Sequence, residues 1–530
     1  MLPVLEKVRS RIAAATSPRA APPPPAYSAG DPVSQELAGW YPGLTSPDAE
    51  RLPTRDTVVA RIRDIARNSG WASGALTRLV DNAVGADLRL SLRPDWRALG
   101  LSPEWAADWA NEVEARFRLW SEDPGRYCDA SRVTGFAGLM RLAYRQYKTD
   151  GEVFAALLWE DDRATAGSFA TTVQIIDADR VSNPNGWADT ETLRGGVEVD
   201  ARTMAATGYH VRKRHPNDVY LGAADNFVWE YVPREYPWGR PVMVHFFDKH
   251  RAGQTRGTGI LTPVLERLKM VDRYDKVELQ AAVLNAVLAA FIESPFDPDL
   301  VADGLGGSLD YQQARSAFHK DTRISLGGVR IPQLFPGEKL AFQRAERPST
   351  AFADFEAACL RNIASATGLS YEQLSMDWSR TNYSSARAAL LEVWRTMGAD
   401  RHAFTQGVAT PIFGAWLEEA IARDYVALPT GAPTFQQARA AYCRCKWIGP
   451  GRGWVDPVKE AQASVIRMES GLSTLEDECA EQGKDYQEVI AQRAREKREW
   501  EAAGLTDPNM DAIMAASGGN GNTGSEVPQS

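Results

Sequence analysis

Apolar residues recur at steps of three and four over a long central stretch, and they predict three helices there. Leu261, Leu265, Leu268, Val271, Tyr274, Val277, Ala281, Leu284, Leu288 and Phe291 form one stripe, which places a helix over 262–293. At 1.5 Å per residue it would run roughly 48 Å. Thr262 is its expected N-cap, Pro263 suits the first helical position, and Ser294-Pro295 ends it. A second helix fits 351–367 through Phe352, Phe355, Cys359 and Ile363, with Gly368 as its stop. A third begins near Ser385, carries Leu390, Leu391 and Trp394, and is expected to kink near Gly407 and Pro411 before continuing to Ile421.

Upstream the pattern is mixed. Residues 57–67, 75–84, 105–120 and 134–148 read as helices, the first two separated by Asn68-Ser69-Gly70-Trp71. From Glu152 the period changes. Residues 153–159, 171–176, 208–212, 227–232 and 243–247 are short, β-branched and aromatic, with Asn, Gly, Pro and Asp between them. The fold class is therefore α+β. Between the first two long helices, an insert over 294–348 carries a short helix at 311–319 and strands around 323–326 and 339–342.

The C-terminal part is again helical. Asp456-Pro457 starts one helix and Gly471 stops it, while Ser473 with Glu476 and Asp485 with Glu488 have capping-box spacing. The ends of the chain differ in kind. Four consecutive prolines from Pro22 make the first 53 residues a Pro/Ala-rich arm, with structure expected from Thr54; residues 506–530 are read as a disordered tail.

Composition narrows the function mainly by exclusion. A net charge of −9 argues against tight phosphate neutralisation. Five scattered cysteines do not make a disulfide framework, and Cys443 and Cys445 read as two free thiols on opposite strand faces. The most apolar run, 281–292, falls short of the roughly 20 residues a membrane span requires. No Walker loop, His-Glu-x-x-His or Gly-x-Ser-x-Gly is present, so no catalytic residue, metal ligand or cofactor is assigned. The Gly-rich run 253–259 precedes a helix and suits a tight turn better than an anion site. His245 reads as half-buried and His250 as solvated. Trp229, Tyr231, Tyr236 and Trp238 read as core or subunit contacts, and Arg493, Arg495, Lys497 and Arg498 as a solvated helix face.

Several phrases are similar to signatures of the lambda-type portal proteins of tailed bacteriophages. They are Asn68-Ser69-Gly70-Trp71-Ala72-Ser73-Gly74-Ala75-Leu76, His245-Phe246-Phe247-Asp248 with Arg251-Ala252-Gly253-Gln254-Thr255-Arg256-Gly257, Ala366-Thr367-Gly368-Leu369-Ser370-Tyr371-Glu372, Asn382-Tyr383-Ser384-Ser385-Ala386-Arg387, and Trp454-Val455-Asp456-Pro457-Val458-Lys459-Glu460-Ala461. The resemblance implies a portal fold: a mixed wing domain (54–258), stem helices (259–293 and 349–369) and a clip (294–348). A tunnel loop (370–383), a long wing helix with return strands (384–449) and a helical crown region (450–505) would complete it.

It also implies a non-enzymatic ring, twelvefold in the capsid, at one vertex of the virion, assembled in the bacterial host cytoplasm; prophages carry such genes too. Double-stranded DNA would pass through its channel during packaging and ejection. Expected partners are the terminase large subunit, major capsid and scaffold proteins, and then head-completion or tail proteins, with no membrane. On this reading Glu372, Gln373, Ser375, Asp377, Trp378, Arg380, Thr381 and Asn382 face DNA. The alternative is a nucleic-acid-processing enzyme with an unrecognised active site, which metal- or nucleotide-dependent turnover would reveal.

Overall fold

The structure is a computed structural model that describes residues 39–167, 169–218, 227–289, 324–326, 329–331, 352–379, 381–453 and 456–505, with residues 29, 36, 37 and 317. Packing begins earlier than the expected Thr54. Ser46 accepts the Ala49 amide at 3.2 Å and starts a single turn, α1 (Pro47–Arg51). Asp48 in that turn is buried, taking the Thr255 amide at 3.0 Å and the Arg194 guanidinium at 3.2 Å. One turn leaves no periodicity to read, which is why the arm boundary fell too late.

Two helices, α2 (Arg55–Asn68) and α3 (Gly70–Ala83), follow with only the extended Ser69 between them. The expected separator Asn68-Ser69-Gly70-Trp71 is thus mostly helical. A strand with no sequence signal, β1 (Arg89–Leu92), precedes α4 (Pro103–Ser121) and α5 (Phe136–Asp150). The short β-branched and aromatic segments form β2 (Glu152–Trp159), β3 (Thr171–Ile176), β6 (Ala206–Arg212), β7 (Trp229–Pro233) and β8 (Met243–Phe247). Two further strands, β4 (Leu193–Arg194) and β5 (Val197–Val199), are too short to show alternation.

These strands make two antiparallel sheets, ordered β3-β2-β8 and β4-β5-β6-β7. Phe154, Ala156, Ile176, Val197, Tyr209, Val211 and Met243 share a small core between them. The main core lies on the helical side. There the rings of Phe117, Trp120, Phe136 and Trp416 pack edge-on and tilted at centroid distances of 5.1–6.3 Å.

The first long helix starts differently from its prediction. Thr262–Val264 form a 3₁₀ turn, and the Thr262 hydroxyl donates back to the Gly259 carbonyl at 2.7 Å instead of capping. The α-helix proper is α6 (Leu265–Ala289). Leu261, Leu268 and Val271 of the predicted stripe are buried, whereas Val277 farther along is 44% exposed. The expected stop at Ser294-Pro295 lies outside the described residues. Of the insert, β9 (Ile324–Leu326) pairs antiparallel with β10 (Val329–Ile331). The expected strand at 339–342 and, apart from Ala317, the helix at 311–319 lie outside the described residues.

The remaining long helices match their patterns closely. α7 (Phe352–Thr367) ends at Gly368, whose φ of +73° is the left-handed stop. A short helix, α8 (Tyr371–Ser375), leads to α9 (Tyr383–Phe404). Where the kink was expected, Thr405–Ala409 form a π turn that runs into α10 (Thr410–Ala422). At Gly407 a Cβ would lie 2.2 Å from the Phe246 ring, so the π turn and β8 meet at a position only glycine allows.

Beyond α10 the chain returns through β11 (Cys445–Ile448), which pairs with β1. Cys445 lies in this strand, but Cys443 closes the helical turn before it, so the two thiols are not on opposite faces of one strand. Asp456 caps α11 (Pro457–Glu469), and Gly471 follows it at φ +72°. The next helix, α12 (Leu475–Glu481), is capped by Thr474, one residue later than the expected Ser473. Asp485 caps α13 (Tyr486–Ala503) as predicted. The tail 506–530 lies outside the described residues.

Candidate functional site

The stretch 370–382 is not a plain loop. Ser370 accepts the Gln373 amide at 3.2 Å and nucleates α8, and the buried Leu369 and Leu374 tie both sides of that cap into the main core. The Arg361 guanidinium lies 5.1 Å above the Tyr371 ring. Met376 ends α8 in the left-handed region at φ +58°, and Arg78 donates to its sulfur at 3.0 Å. The Asp377 carboxylate then accepts the Ser379 amide at 3.0 Å and its hydroxyl at 2.6 Å, forming a tight turn. Thr381 N–H closes back on the Trp378 carbonyl at 3.2 Å.

The eight expected DNA-facing residues therefore separate into groups. Glu372, Gln373 and Ser375 are partly buried on α8. Asp377 and Trp378 stand at the exposed tip, Trp378 with 39% of its surface open. Thr381 is half-buried and reaches Glu372 Oε1 at 3.4 Å. Asn382 is exposed, but its side chain accepts the Ser385 amide at 2.9 Å and caps α9. Arg380 lies outside the described residues. Met376 and Ser379, not among those eight, share the exposed tip; the apolar pair Leu369 and Leu374 was the available sign that the stretch docks at one end and projects at the other.

The phrase from His245 to Gly257 does different work. Arg256 is buried and donates to both Glu152 oxygens, at 2.9 Å from Nε and 2.7 Å from Nη2. Arg55 reaches the same carboxylate at 2.7 Å, His245 Nε2 lies 3.0 Å from it, and the Gly257 amide donates at 3.2 Å. Burial alone would raise the Glu152 pKa. The Arg256 and Arg55 charges and the His245 contact overcome this and hold it well below the usual carboxylate range. Burial lowers the His245 pKa. The imidazole is 3% exposed and stacks on Phe154 at 4.1 Å, so it is enclosed, not half-buried as expected.

The Gly-rich run is a packing device. A Cβ on Gly257 would sit 2.0 Å from the Gly151 carbonyl oxygen, and one on Gly259 would sit 2.1 Å from that of Thr149. Here glycine permits two backbones to touch.

Other candidate groups are structural. Trp229 Nε1 donates to Ser182 at 3.1 Å, and Trp238 stacks on Tyr236 at 4.6 Å while its Nε1 donates to Glu418. Tyr231, Tyr236 and Trp238 remain largely exposed and are not core. Asp177, Asp179 and His215 lie close enough to share a cation, but the Arg63 guanidinium already reaches both aspartates, at 2.9 and 2.7 Å. The run at Arg493 lies on α13, which buries no residue. No helix among the described residues is long and apolar enough to cross a membrane.

Comparison with known proteins completes the picture. The model of the family described as phage portal protein, lambda family, matches residues 34–401. The chain is 38% identical over 503 residues to the portal protein of Escherichia phage N15, covering 93% of each. It is 37% identical over 502 residues to portal protein B of Escherichia phage lambda, again covering 93% of each. A solved chain from the neck of an empty GTA particle, computed with C6 symmetry, has a TM-score of 0.41 at 14% identity. That comparison covers 85% of this chain and 98% of the other.

Proposed function

The chain belongs to the lambda family of phage portal proteins, a structural family and not an enzymatic one, and from that premise we propose how it works as a head–tail connector. Copies close into a twelve-membered ring at one capsid vertex, and double-stranded DNA passes through the axial channel during packaging and ejection. The ring docks the terminase large subunit during packaging and head-completion or tail proteins afterwards, with capsid and scaffold proteins around it.

The turn at residues 376–379 faces the channel. One observation carries this reading: Leu369 and Leu374 anchor α8 in the core while Met376, Asp377 and Trp378 stand exposed beyond it. The tip carries an acid, an indole and a thioether, with the Arg78 guanidinium against that thioether at 3.0 Å and Arg380 next in sequence. A basic tip would neutralise phosphates and hold the duplex by counterion release. Two guanidiniums beside an acid and an indole make few phosphate contacts, so the tip touches the cargo without gripping it.

Native mass with negative-stain images tests the ring. Twelve copies of 58.3 kDa give about 700 kDa. Deleting residues 377–379 then tests the channel turn. The deletion leaves Leu374 in place, so the ring is expected to form while DNA packaging or retention falls. Normal packaging by that variant would sink the channel assignment.

A further inference from the structure

The turn joining β7 to β8 parts the two sheets. Val242 N–H donates to the Arg234 carbonyl at 3.0 Å, but β7 then pairs with β6, while β8 pairs with β2. β8 is therefore a sheet edge. The Leu157 amide donates to the Val242 carbonyl at 2.8 Å, which sets the alternation. Val244 and Phe246 exchange bonds with β2, and the backbone groups of His245 and Phe247 point away from it. Among the described residues no backbone bond reaches those two from the open side. They border a cleft of about 910 Å³, lined by Val199, Met204, Tyr209 and Met243 on one side and Gly407 and Pro411 on the other.

A second observation lies at the cleft's rim. Residues 40–45 run without helix or strand into α1. Leu44 is fully exposed and Trp40 is 68% exposed. The Thr45 carbonyl accepts from Arg251 at 2.9 Å, two residues beyond the cleft-lining Lys249. None of residues 40–45 lines the cleft of its own chain.

We propose that residues 40–44 of one copy add as a strand to the open β8 edge of the neighbouring copy, an arm exchange that ties the ring together. This rests on the ring reading above. The sequence sets a register. Pro42 has no N–H and must face away from β8, so Tyr41 and Gly43 face it, spaced by two like His245 and Phe247. The same alternation puts Trp40, Pro42 and Leu44 side chains on one face of the added strand. Exposed apolar residues on a tethered segment outside helix and strand thus meet a cleft of mixed lining, where Val199, Tyr209 and Met243 stand beside Arg234, Glu235 and Arg439 and whose rim carries unpaired backbone groups.

Cysteine pairing tests the exchange. Leu44→Cys and Ala205→Cys change two exposed positions, one on the arm and one at the cleft, and are made as separate variants. Mixing them before assembly, then oxidising, is expected to give a disulfide-linked dimer that neither variant gives alone. The double variant should give a ladder of linked subunits. Rings of the expected mass without the mixed dimer, or with linkage only inside single chains, would overturn the exchange and leave the ring standing. Absence of a ring in the same sample would overturn the portal assembly first, and the exchange with it.

Discussion

The carboxylate of Glu152 and the guanidinium of Arg256 meet at 2.7 Å with side-chain exposures of 0% and 2%. Two guanidiniums share this one carboxylate, so removing its charge strands cations in a dry interior. Glu152→Gln is expected to cost about 3–5 kcal/mol in urea unfolding. The pH dependence has a definite sign. With its folded pKa lowered, Glu152 contributes stability above its ordinary value of about 4.3 and loses it as pH falls through the lowered one. Glu152→Gln should therefore flatten the acid side of the stability curve.

Backbone contact makes Gly257 unusually sensitive. The added methyl of Gly257→Ala would meet a carbonyl at 2.0 Å, and that atom belongs to backbone, not to a flexible side chain. A loss of more than about 3 kcal/mol, or failure to accumulate soluble protein, is expected. Gly398, on α9, has nothing within 4 Å of its Cβ position. Gly398→Ala should instead stabilise by about 0.5–1 kcal/mol, and thermal unfolding of the two variants checks the contrast.

Glu114 has the opposite sign from Glu152. It takes the Leu92 amide at 2.6 Å and faces Arg118, Asp485 and Glu488. Burial first, and then the two acids, push its pKa up to about 7 despite that amide and Arg118. Its favourable contribution is complete below the ordinary carboxylate value of about 4.3 and is lost as pH rises through about 7. Glu114→Gln should gain on the order of 2 kcal/mol over the parent at pH 8 and little at pH 4, by denaturant titration at each pH.

Anchor and tip of the proposed channel turn should separate cleanly. Leu374→Ala removes a buried side chain and is expected to cost about 2–5 kcal/mol. Trp378→Ala removes a side chain with 39% of its surface open and should cost less than Leu374→Ala while altering packaging yield. A packaging defect confined to Leu374→Ala would count against the tip as the working part.

Much of this architecture was legible because it repeats. The three-and-four spacing from Leu261, the glycine after Thr367 and the short apolar run from Val153 each announce one element, and the structure has them. What escaped depends on distance or brevity. β1 and β11 stabilise each other across more than three hundred residues, and neither is long enough to alternate clearly. The single turns at Pro47–Arg51 and Tyr371–Ser375 have caps but no period. His245 sits in the apolar run Met243–Phe247, which cannot show what its ring meets, and only the tertiary meeting with Glu152 and Phe154 encloses the imidazole. The stretch expected as one loop over 370–383 begins with a helical turn, and which of its side chains cap, dock or project was not written in their identities.

The π turn at Thr405–Ala409 sets a phase. Such a turn carries one residue more than the α ladder needs, so everything beyond it is rotated by about 100° relative to an unbroken helix. Asp400, before the turn, receives the Lys148 ammonium at 2.8 Å; Glu419, after it, receives the Ala170 and Thr171 amides at 2.6 and 2.8 Å. Nineteen residues of uninterrupted α-helix would set these two carboxylates about 100° apart around the axis, and the extra residue brings them back into line. The rod from Tyr383 to Ala422 is thus keyed at two points to one body, and a one-residue deletion inside the turn would restore plain α-helix with both keys still in line, since eighteen residues make five whole turns.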